Sequence, residues 1–254
     1  MAIGLKMLKE GKVDGFVSAG STGALHAAST LIVRKIKGVR RSAIATVLPF
    51  GDGILMLDCG ANPTVTADIL SQWAYIGSVY MKRLFGIENP RVGLLNNGTE
   101  EHKGSTLYKE AHALLKQAPI HFIGNIEGRD ALLGGVDVVV CDGFSGNVLL
   151  KSIEGTAMFM GSLMKHKIFK RNILSMIGYL FCKKGVDDVM KMMDYREIGG
   201  TQFLGIKKPV IKAHGSSDAL AFRNAVMQAT GAAKSDFSAE LEQALKALEE
   251  KQDD

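Results

Sequence analysis

Short apolar runs, each followed at once by a polar, glycine-rich loop, constrain the fold of this chain more than any other feature of the sequence. The runs are continuous rather than alternating, which is typical of strands covered on both faces. Amphipathic stretches between them, such as residues 67–85, predict helices that connect parallel strands. We therefore predict an α/β fold with a mostly parallel sheet. The predicted strands are residues 14–18, 54–57, 91–95, 120–123, 136–141 and 209–212.

Size, cysteine content and charge narrow the class of protein. The 254 residues can bury one good-sized core. Three cysteines without CxxC or Cys/His spacing predict a reducing cytoplasm and no metal site. The sequence lacks an uncharged apolar run of about 18 residues, the length of a membrane span. The net charge of +5 predicts an acidic partner, and its sign leaves nucleic acid, an anionic membrane and an acidic protein open.

The glycine-rich loops are the candidate binding elements, because ligands bind at the carboxyl ends of parallel strands. We expect them to converge on one crevice. The loop 18–24 offers the hydroxyls of Ser18, Ser21 and Thr22 and free backbone N–H groups at a helix start. It is either an anion site or a tight turn that needs glycine. It matches neither GxGxxG nor a Walker A sequence, and no cofactor is predicted.

The remaining loops each allow a functional and a structural interpretation. The loop 58–62, with Asn62, is either a site or an Asx turn. The loop 96–104 places Asn97 and Lys103 beside carboxylates, or is simply a solvated loop. Further candidates are Asn125, Arg129, Asp142, Ser145, Asn147, His214 and Ser216.

Arg129 is the best fixed cation for a phosphate group, or else an ordinary surface arginine. Asn147 is explained either by ligand binding or by helix capping. His214 ends a strand, which favours a site. The other histidines that we weighed are interpreted as packing or surface residues, and they are His26, His112, His121 and His166. Cys59 is interpreted as a buried thiol rather than a nucleophile.

A methionine-rich amphipathic segment at about 158–193 departs from the α/β pattern. It carries lysines around apolar residues, and a break near Gly185 predicts a helical hairpin. We predict a single α/β/α domain over 1–254 with this hairpin inserted. Three uses stay open for the hairpin: dimer or core packing, contact with anionic lipid, and reception of an acidic carrier protein with its acyl chain.

Taken in order, the loops resemble the bacterial phosphate acyltransferases of phospholipid synthesis. The matching motifs are distributed over nearly the whole chain. They are DGFVSAGSTGA (14–24), LDCGAN (57–62), PRVGLLN (90–96), FIGNIEGR (122–129), VVCDGFSGN (139–147) and AHGSS (213–217). Two departures stand out. The family's first segment, with its Asp-Ala-Met-Gly-Gly-Asp motif, has no counterpart here, and Cys59 stands where members commonly have valine.

The resemblance implies a Rossmann-like three-layer α/β/α fold related to phosphotransacetylases and isocitrate-dehydrogenase-like enzymes, and usually a homodimer. It implies acyl carrier protein and inorganic phosphate as substrates. The acyl phosphate product would pass to a glycerol-phosphate acyltransferase. No nucleic acid partner is predicted. The expected location is the cytoplasm, with peripheral contact at the inner face of the membrane left open.

The chemistry of this reaction gives the candidates roles that the resemblance itself does not assign, because the enzyme must hold two anionic groups and stabilise an oxyanion. Ser21, Thr22, Lys103 and Arg129 would hold phosphate or the phosphate of the carrier arm, and Asn62, Asn97 or His214 the thioester carbonyl. The other candidates would contact substrate. Two alternatives stay open: a short-chain phosphate acetyl- or butyryltransferase that uses coenzyme A, and an inactive membrane-associated scaffold. A nicotinamide-dependent dehydrogenase is disfavoured, because GxGxxG is missing.

Overall fold

The computed structural model describes residues 1–51, 53–192, 196 and 199–253. Within these ranges eight strands form one sheet. The strands are β1 Phe16–Ser18, β2 Ala43–Leu48, β3 Ile54–Leu57, β4 Arg91–Leu95, β5 His121–Ile126, β6 Val138–Val140, β7 Gly200–Leu204 and β8 Val210–Ala213. Their order across the sheet is β1-β8-β7-β2-β3-β6-β4-β5.

Helices connect and cover the strands. They are α1 Ala2–Lys9, α2 Thr22–Ala28, α3 Ala67–Phe85, α4 Thr106–Gln117, α5 Asp130–Leu133, α6 Gly143–Leu163, α7 Ile173–Met192, α8 Ala219–Lys234 and α9 Phe237–Asp253. Helices α2 and α6 continue as π-helical segments, Ser29–Val33 and Met164–Phe169 respectively.

The sheet is mixed, with four parallel and three antiparallel pairs of neighbouring strands. This confirms the predicted α/β fold with a mostly parallel sheet. Strands β2 and β7 were not predicted as strands. The glycine and glutamine of β7 give a weak strand signal, whereas Ile44, Thr46 and Val47 of β2 favour a strand that was missed from the sequence.

The missed strands change the geometry of the sheet. β2 is antiparallel to β3 and β7, and β7 is antiparallel to β8. Strands β1 and β8 therefore run opposite to β3, β4, β5 and β6. The expectation that all the glycine-rich loops follow strands at one edge is wrong, since the loops after β1 and β8 leave the opposite edge.

Successive residues of β3 pack on opposite faces of the sheet. Leu55 and Leu57 contact a core that includes Trp73 of α3 and the apolar side of α9. Ile54 and Met56 contact a second core that includes side chains of α1, α2 and α6. The apolar runs of β3 and β6 are therefore strands buried on both faces, as their sequence predicted, whereas β1 and β5 at the two edges of the sheet are only partly buried.

The amphipathic segment forms two helices, but its turn differs from the prediction. The chain turns at residues 170–172, where the side chain of Asn172 accepts a hydrogen bond from the N–H of Ser175 and caps α7 (2.8 Å). The break predicted near Gly185 is wrong. That glycine lies inside α7, because a glycine in an exposed helix costs only about 1 kcal/mol.

Both helices of this pair project apolar side chains into solvent. Phe181 is 88% exposed, and Met158, Phe159, Ile173, Leu174 and Leu180 are also exposed. Met193, where the predicted hairpin ends, lies outside the described residues. The division into one domain and an inserted hairpin stays a prediction. In the described ranges, none of the helices is both long and apolar enough to cross a bilayer.

The close contact between Gly146 of α6 and the backbone of Asp58 can be tested. A Cβ on Gly146 would lie 2.0 Å from the carbonyl oxygen of Asp58, so Gly146→Ala should lower the free energy of unfolding by at least about 2 kcal/mol. A Cβ on Gly155 of the same helix would meet no atom of another element within 4 Å. Gly155→Ala should therefore be neutral, or stabilising by up to about 1 kcal/mol. Urea unfolding followed by circular dichroism measures the free energy of unfolding of both variants. Equal stabilities would contradict the close packing of α6 against the loop after β3.

Candidate functional site

An open groove of about 1030 Å³ crosses one face of the sheet beneath α6. Side chains of β2 form its floor, including Ile44 and Leu48, and α6 forms one wall with Leu150 and Ile153. One end is lined by the loops after β1 and β8 and by the start of β7. The other end is lined by the loops after β3, β5 and β6. The groove thus brings together loops from both edges of the sheet.

Asp58 holds the floor and the loop after β3 in place. Its buried carboxylate accepts hydrogen bonds from the N–H groups of Ile44 (2.9 Å), Gly60 (3.2 Å), Ala61 (3.1 Å) and Asn62 (2.6 Å). The side-chain amide of Asn62 donates to the same carboxylate and to the carbonyl oxygen of Ser42, both at 2.9 Å. This loop is therefore a turn whose N–H groups are hydrogen-bonded to Asp58, and the side chain of Asn62 stabilises it through the same carboxylate.

Asp142 caps helix α6. Its carboxylate accepts hydrogen bonds from the N–H groups of Phe144 and Ser145 (both 2.9 Å) and from the Ser145 hydroxyl (2.8 Å). The Tyr108 hydroxyl donates to the same carboxylate. Burial raises the pKa of Tyr108, and the hydrogen bond to Asp142 raises that pKa further. Asp142 and Ser145 thus position α6 rather than line the groove.

Asn147 lies on the exposed face of the first turns of α6 and lines the groove. Since Asp142 is the N-cap of this helix, capping does not explain Asn147. A ligand contact is the interpretation that remains of the two considered from the sequence.

Asn97, Lys103 and Asn125 lie in a separate polar cluster beyond β4. The Asn125 amide donates to the carbonyl oxygen of Glu100 (2.8 Å), and its side-chain oxygen lies 3.0 Å from Nδ1 of buried His112. The Lys103 ammonium lies 3.9 Å from the Glu100 carboxylate. None of the three predicted residues lines the groove. Their contact with substrate stays a prediction.

Five predicted site residues do line the groove: Ser21, Thr22, Arg129, Asn147 and His214. Two others shape its loops from outside. The Ser18 hydroxyl accepts from the N–H of Gly20 (3.2 Å), and the Ser216 hydroxyl lies 2.7 Å from Nδ1 of His214.

Arg129 sits at the rim with its side chain 74% exposed, and its guanidinium donates to Glu127 (2.5 Å). Its Nε also lies 3.7 Å from the carboxylate of Asp130, so two acidic side chains flank the guanidinium. Its contact with phosphate stays a prediction.

Cys59 lines the groove but is buried, and burial raises the pKa of its thiol well above the ordinary value; the charge of Asp58 adds to that rise. A protonated thiol is a poor nucleophile, which supports the structural interpretation of this residue. Among the described residues, no group of three or more His, Cys, Asp or Glu side chains could hold a metal ion.

Two lysines of the groove were missed from the sequence, Lys151 and Lys212. Lys151 follows Asn147 by four residues, one helical turn, so both lie on the same face of α6. Lys212 is a charged residue in an otherwise apolar strand, directly before the Ala213-His214 motif. Both lysines could therefore have been predicted as site residues from their positions in the sequence.

Comparison with known proteins places the chain in a family. Residues 1–240 match the model of the family described as Fatty acid synthesis protein. A protein named phosphate acyltransferase from Thermoanaerobacterium thermosaccharolyticum is 49% identical to this chain over 230 residues. The match covers 90% of this chain and 69% of the relative. The relative in Geobacillus thermodenitrificans is 50% identical over 224 residues, with 87% and 68% covered. This chain belongs to the phosphate acyltransferase family. The predicted resemblance is confirmed, and the chain is an acyltransferase.

Solved structures support the fold. A phosphotransacetylase from Streptococcus pyogenes superposes with a TM-score of 0.60 at 20% identity, covering 92% of this chain and 67% of that one. A branched-chain phosphotransacylase from Enterococcus faecalis V583 gives a TM-score of 0.56 at 17% identity, with 91% and 77% covered. At these identities the likeness shows the fold alone, and it confirms the predicted relation of this acyltransferase to phosphotransacetylase folds.

The hydrogen-bonded turn around Asp58 can be tested by one isosteric change. Asp58→Asn replaces an acceptor by an amide that faces N–H donors. It should lower the free energy of unfolding by at least about 2 kcal/mol, because buried donors lose their partner. Asp68→Asn is the matched control, since its ion pair with Arg40 is exposed and should contribute less than about 1 kcal/mol. Chemical denaturation measures both. A loss no larger for Asp58→Asn than for the control would show that the turn does not depend on the carboxylate.

Proposed function

We propose that this chain transfers a long-chain fatty acyl group from acyl carrier protein to inorganic phosphate and so forms acyl phosphate for phospholipid synthesis. One observation carries the proposal. In a member of the phosphate acyltransferase family, a single groove joins an apolar floor to ends that bear cations, hydroxyls and an amide. An acyl chain and a phosphate group require these two environments side by side.

The chemistry needs no strong base. Phosphate has a pKa of roughly 6 to 7 for its second proton, as phosphorylated side chains do, so part of it is already a dianion near neutral pH. One of its oxygens attacks the thioester carbonyl carbon and forms the new C–O bond. The C–S bond breaks, and the thiolate takes a proton to become the thiol of the carrier. The protein must hold two negatively charged groups together and stabilise the carbonyl oxyanion.

The groove assigns roles to the predicted residues that line it. Ser21 and Thr22 are placed to donate to an anion at one end, and Arg129 to meet one at the rim. Of the three candidates for the carbonyl oxygen, His214 lines the groove, whereas Asn62 and Asn97 do not. We therefore assign the carbonyl contact to His214.

The size and lining of the groove favour a long acyl chain. Its volume of about 1030 Å³ is at the upper end of the range for small-molecule sites. Apolar side chains extend along α6 as far as Ala157, which at about 1.5 Å per residue is about 15 Å from Asn147. An acetyl group would leave most of this surface uncovered.

The partners of this acyltransferase are part of the proposal. The net charge of +5 and the lysines of the α6–α7 pair complement an acidic carrier protein. The exposed apolar side chains of the same helices would be covered by a second copy of the chain or would contact anionic lipid. Acyl phosphate is a reactive anhydride, so an enzyme such as a glycerol-phosphate acyltransferase would consume it directly.

The proposal predicts acyl phosphate formation that depends on phosphate. The purified chain is incubated with palmitoyl carrier protein, with and without phosphate, and acyl phosphate is trapped with hydroxylamine. Hydroxamate should form only with phosphate, and palmitoyl coenzyme A should be a poorer donor. A preference for acetyl coenzyme A would instead indicate the short-chain enzyme. If a folded sample forms no product with any donor, the proposal is wrong and the inactive membrane-associated scaffold is favoured.

The length of the acyl chain can be tested within the groove. Ala157→Phe adds bulk at the far end of the apolar wall, so it should lower kcat/KM for a palmitoyl donor by about 10-fold and that for an octanoyl donor by less than about 2-fold. Met158→Phe is the control, because this neighbouring side chain is exposed and lies outside the groove. Equal losses for both donors would place the acyl chain elsewhere.

A further inference from the structure

Two lysines, Lys151 and Lys212, line the groove. Lys212 lies at the carboxyl end of β8, an interior strand between β1 and β7, and Lys151 lies in the third turn of α6. Both line the groove, next to Ser21, Thr22 and Thr201. Arg129 lies with the loops that line the other end.

Burial and the positive charge of Lys151 both act on Lys212. Lys212 is partly buried, and its ammonium donates to the carbonyl oxygen of Ala213. Burial lowers the pKa of Lys212, and the positive charge of Lys151 lowers it further. The two side chains line the same groove, so an anion bound there would interact favourably with both positive charges.

The negative charge near the pair is unevenly distributed. The Lys151 ammonium is paired with the Glu154 carboxylate at 2.6 Å, and this carboxylate also lines the groove. Lys212 is absent from the ion pairs formed within the described part of the chain. Lys212 therefore carries the larger uncompensated charge, while Glu154 holds Lys151 in place.

We infer that Lys212 and Lys151 form the inner anion subsite of this groove and hold the phosphoryl dianion that accepts the acyl group. The inference rests on the proposed function. Ammonium groups bind phosphate as point charges, and the hydroxyls of Ser21, Thr22 and Thr201 supply additional donors at the same end. The dianion so held lies beside the apolar floor, where the acyl chain would present its carbonyl carbon.

Position within the groove separates two sources of phosphate. Free phosphate can reach Lys212, which is partly buried, whereas the phosphate of a carrier arm enters from the rim. Arg129 is 74% exposed at that rim and is suited to the carrier arm. The lysine pair is therefore assigned to inorganic phosphate and to the phosphoryl group of the product.

Direct binding tests the subsite without relying on catalysis. Calorimetric titration of the full chain with inorganic phosphate should show binding that Lys212→Met weakens by about 10- to 100-fold, because a charge-assisted contact is lost. Lys151→Met should weaken it less, since Glu154 already offsets part of that charge. Lys212→Arg should keep most of the affinity, and Lys207→Met, at an exposed position outside the groove, should change nothing.

The source of the anion is tested in parallel. Pantetheine 4′-phosphate should bind with an affinity that Lys212→Met leaves within about 2-fold, and KM for phosphate should rise in this variant while KM for palmitoyl carrier protein does not. If Lys212→Met instead weakens the binding of pantetheine phosphate or raises KM for the carrier protein, the two lysines bind the carrier arm and the assignment is overturned.

A measurement on the unmodified chain covers the case in which a variant does not fold. Reductive methylation read by mass spectrometry should be slower at Lys212 and Lys151 in the presence of phosphate, with Lys207 unaffected. Unchanged labelling of Lys212 at saturating phosphate overturns the subsite. Phosphate protection without acyl transfer from any donor would sink the proposed function and leave the subsite standing, so the two failures are distinguishable.

Discussion

The buried carboxylate of Asp58 is the group on which the arrangement of the groove depends. It accepts hydrogen bonds from β2 and from three successive N–H groups of the loop after β3. The carbonyl oxygen of the same residue occupies the position that a Cβ on Gly146 would need. Because β2 is the floor of the groove and α6 is its wall, one buried residue sets the separation between them.

The reversal of strand direction at β2 and β7 decides the shape of the groove. In a purely parallel sheet the polar loops would crowd at one edge, and the site would be compact. Here β1 and β8 end at the opposite edge from β3 and β6, so loops reach the same face from both ends. The apolar side chains of β2 and α6 lie between these polar ends. An amphiphilic substrate with a charged end matches such a surface.

Helix α6 connects this groove with the exposed helical pair. Its first turns carry Asn147 and Lys151 in the groove, and its last turns carry Met158 and Phe159 in solvent. A partner or surface that covers the apolar side chains would contact the same helix that lines the site. The groove and the exposed apolar side chains therefore share one helix.

The local pattern determined much of this protein. The runs at β3 and β6 are apolar throughout, which is typical of strands covered on both faces, and the ordered loop motifs identified the family. Ser21, Thr22, Arg129, Asn147 and His214 were predicted as site residues because polar groups followed apolar strands, and all five line the groove. Gly185 misled the prediction of the turn, because an exposed helix tolerates a glycine that a local rule treats as a break.

Tertiary structure decided what local pattern cannot encode. Strand direction depends on pairing between residues distant in sequence, so the antiparallel places of β2 and β7 were invisible along the chain. Tertiary packing likewise left Asn97 and Lys103 outside the groove and placed Lys151 and Lys212, which are 61 positions apart in the sequence, in its lining. A sequence names the groups that can carry charge, but only the packed sheet determines which of them share a space, because their energies depend on distance and burial.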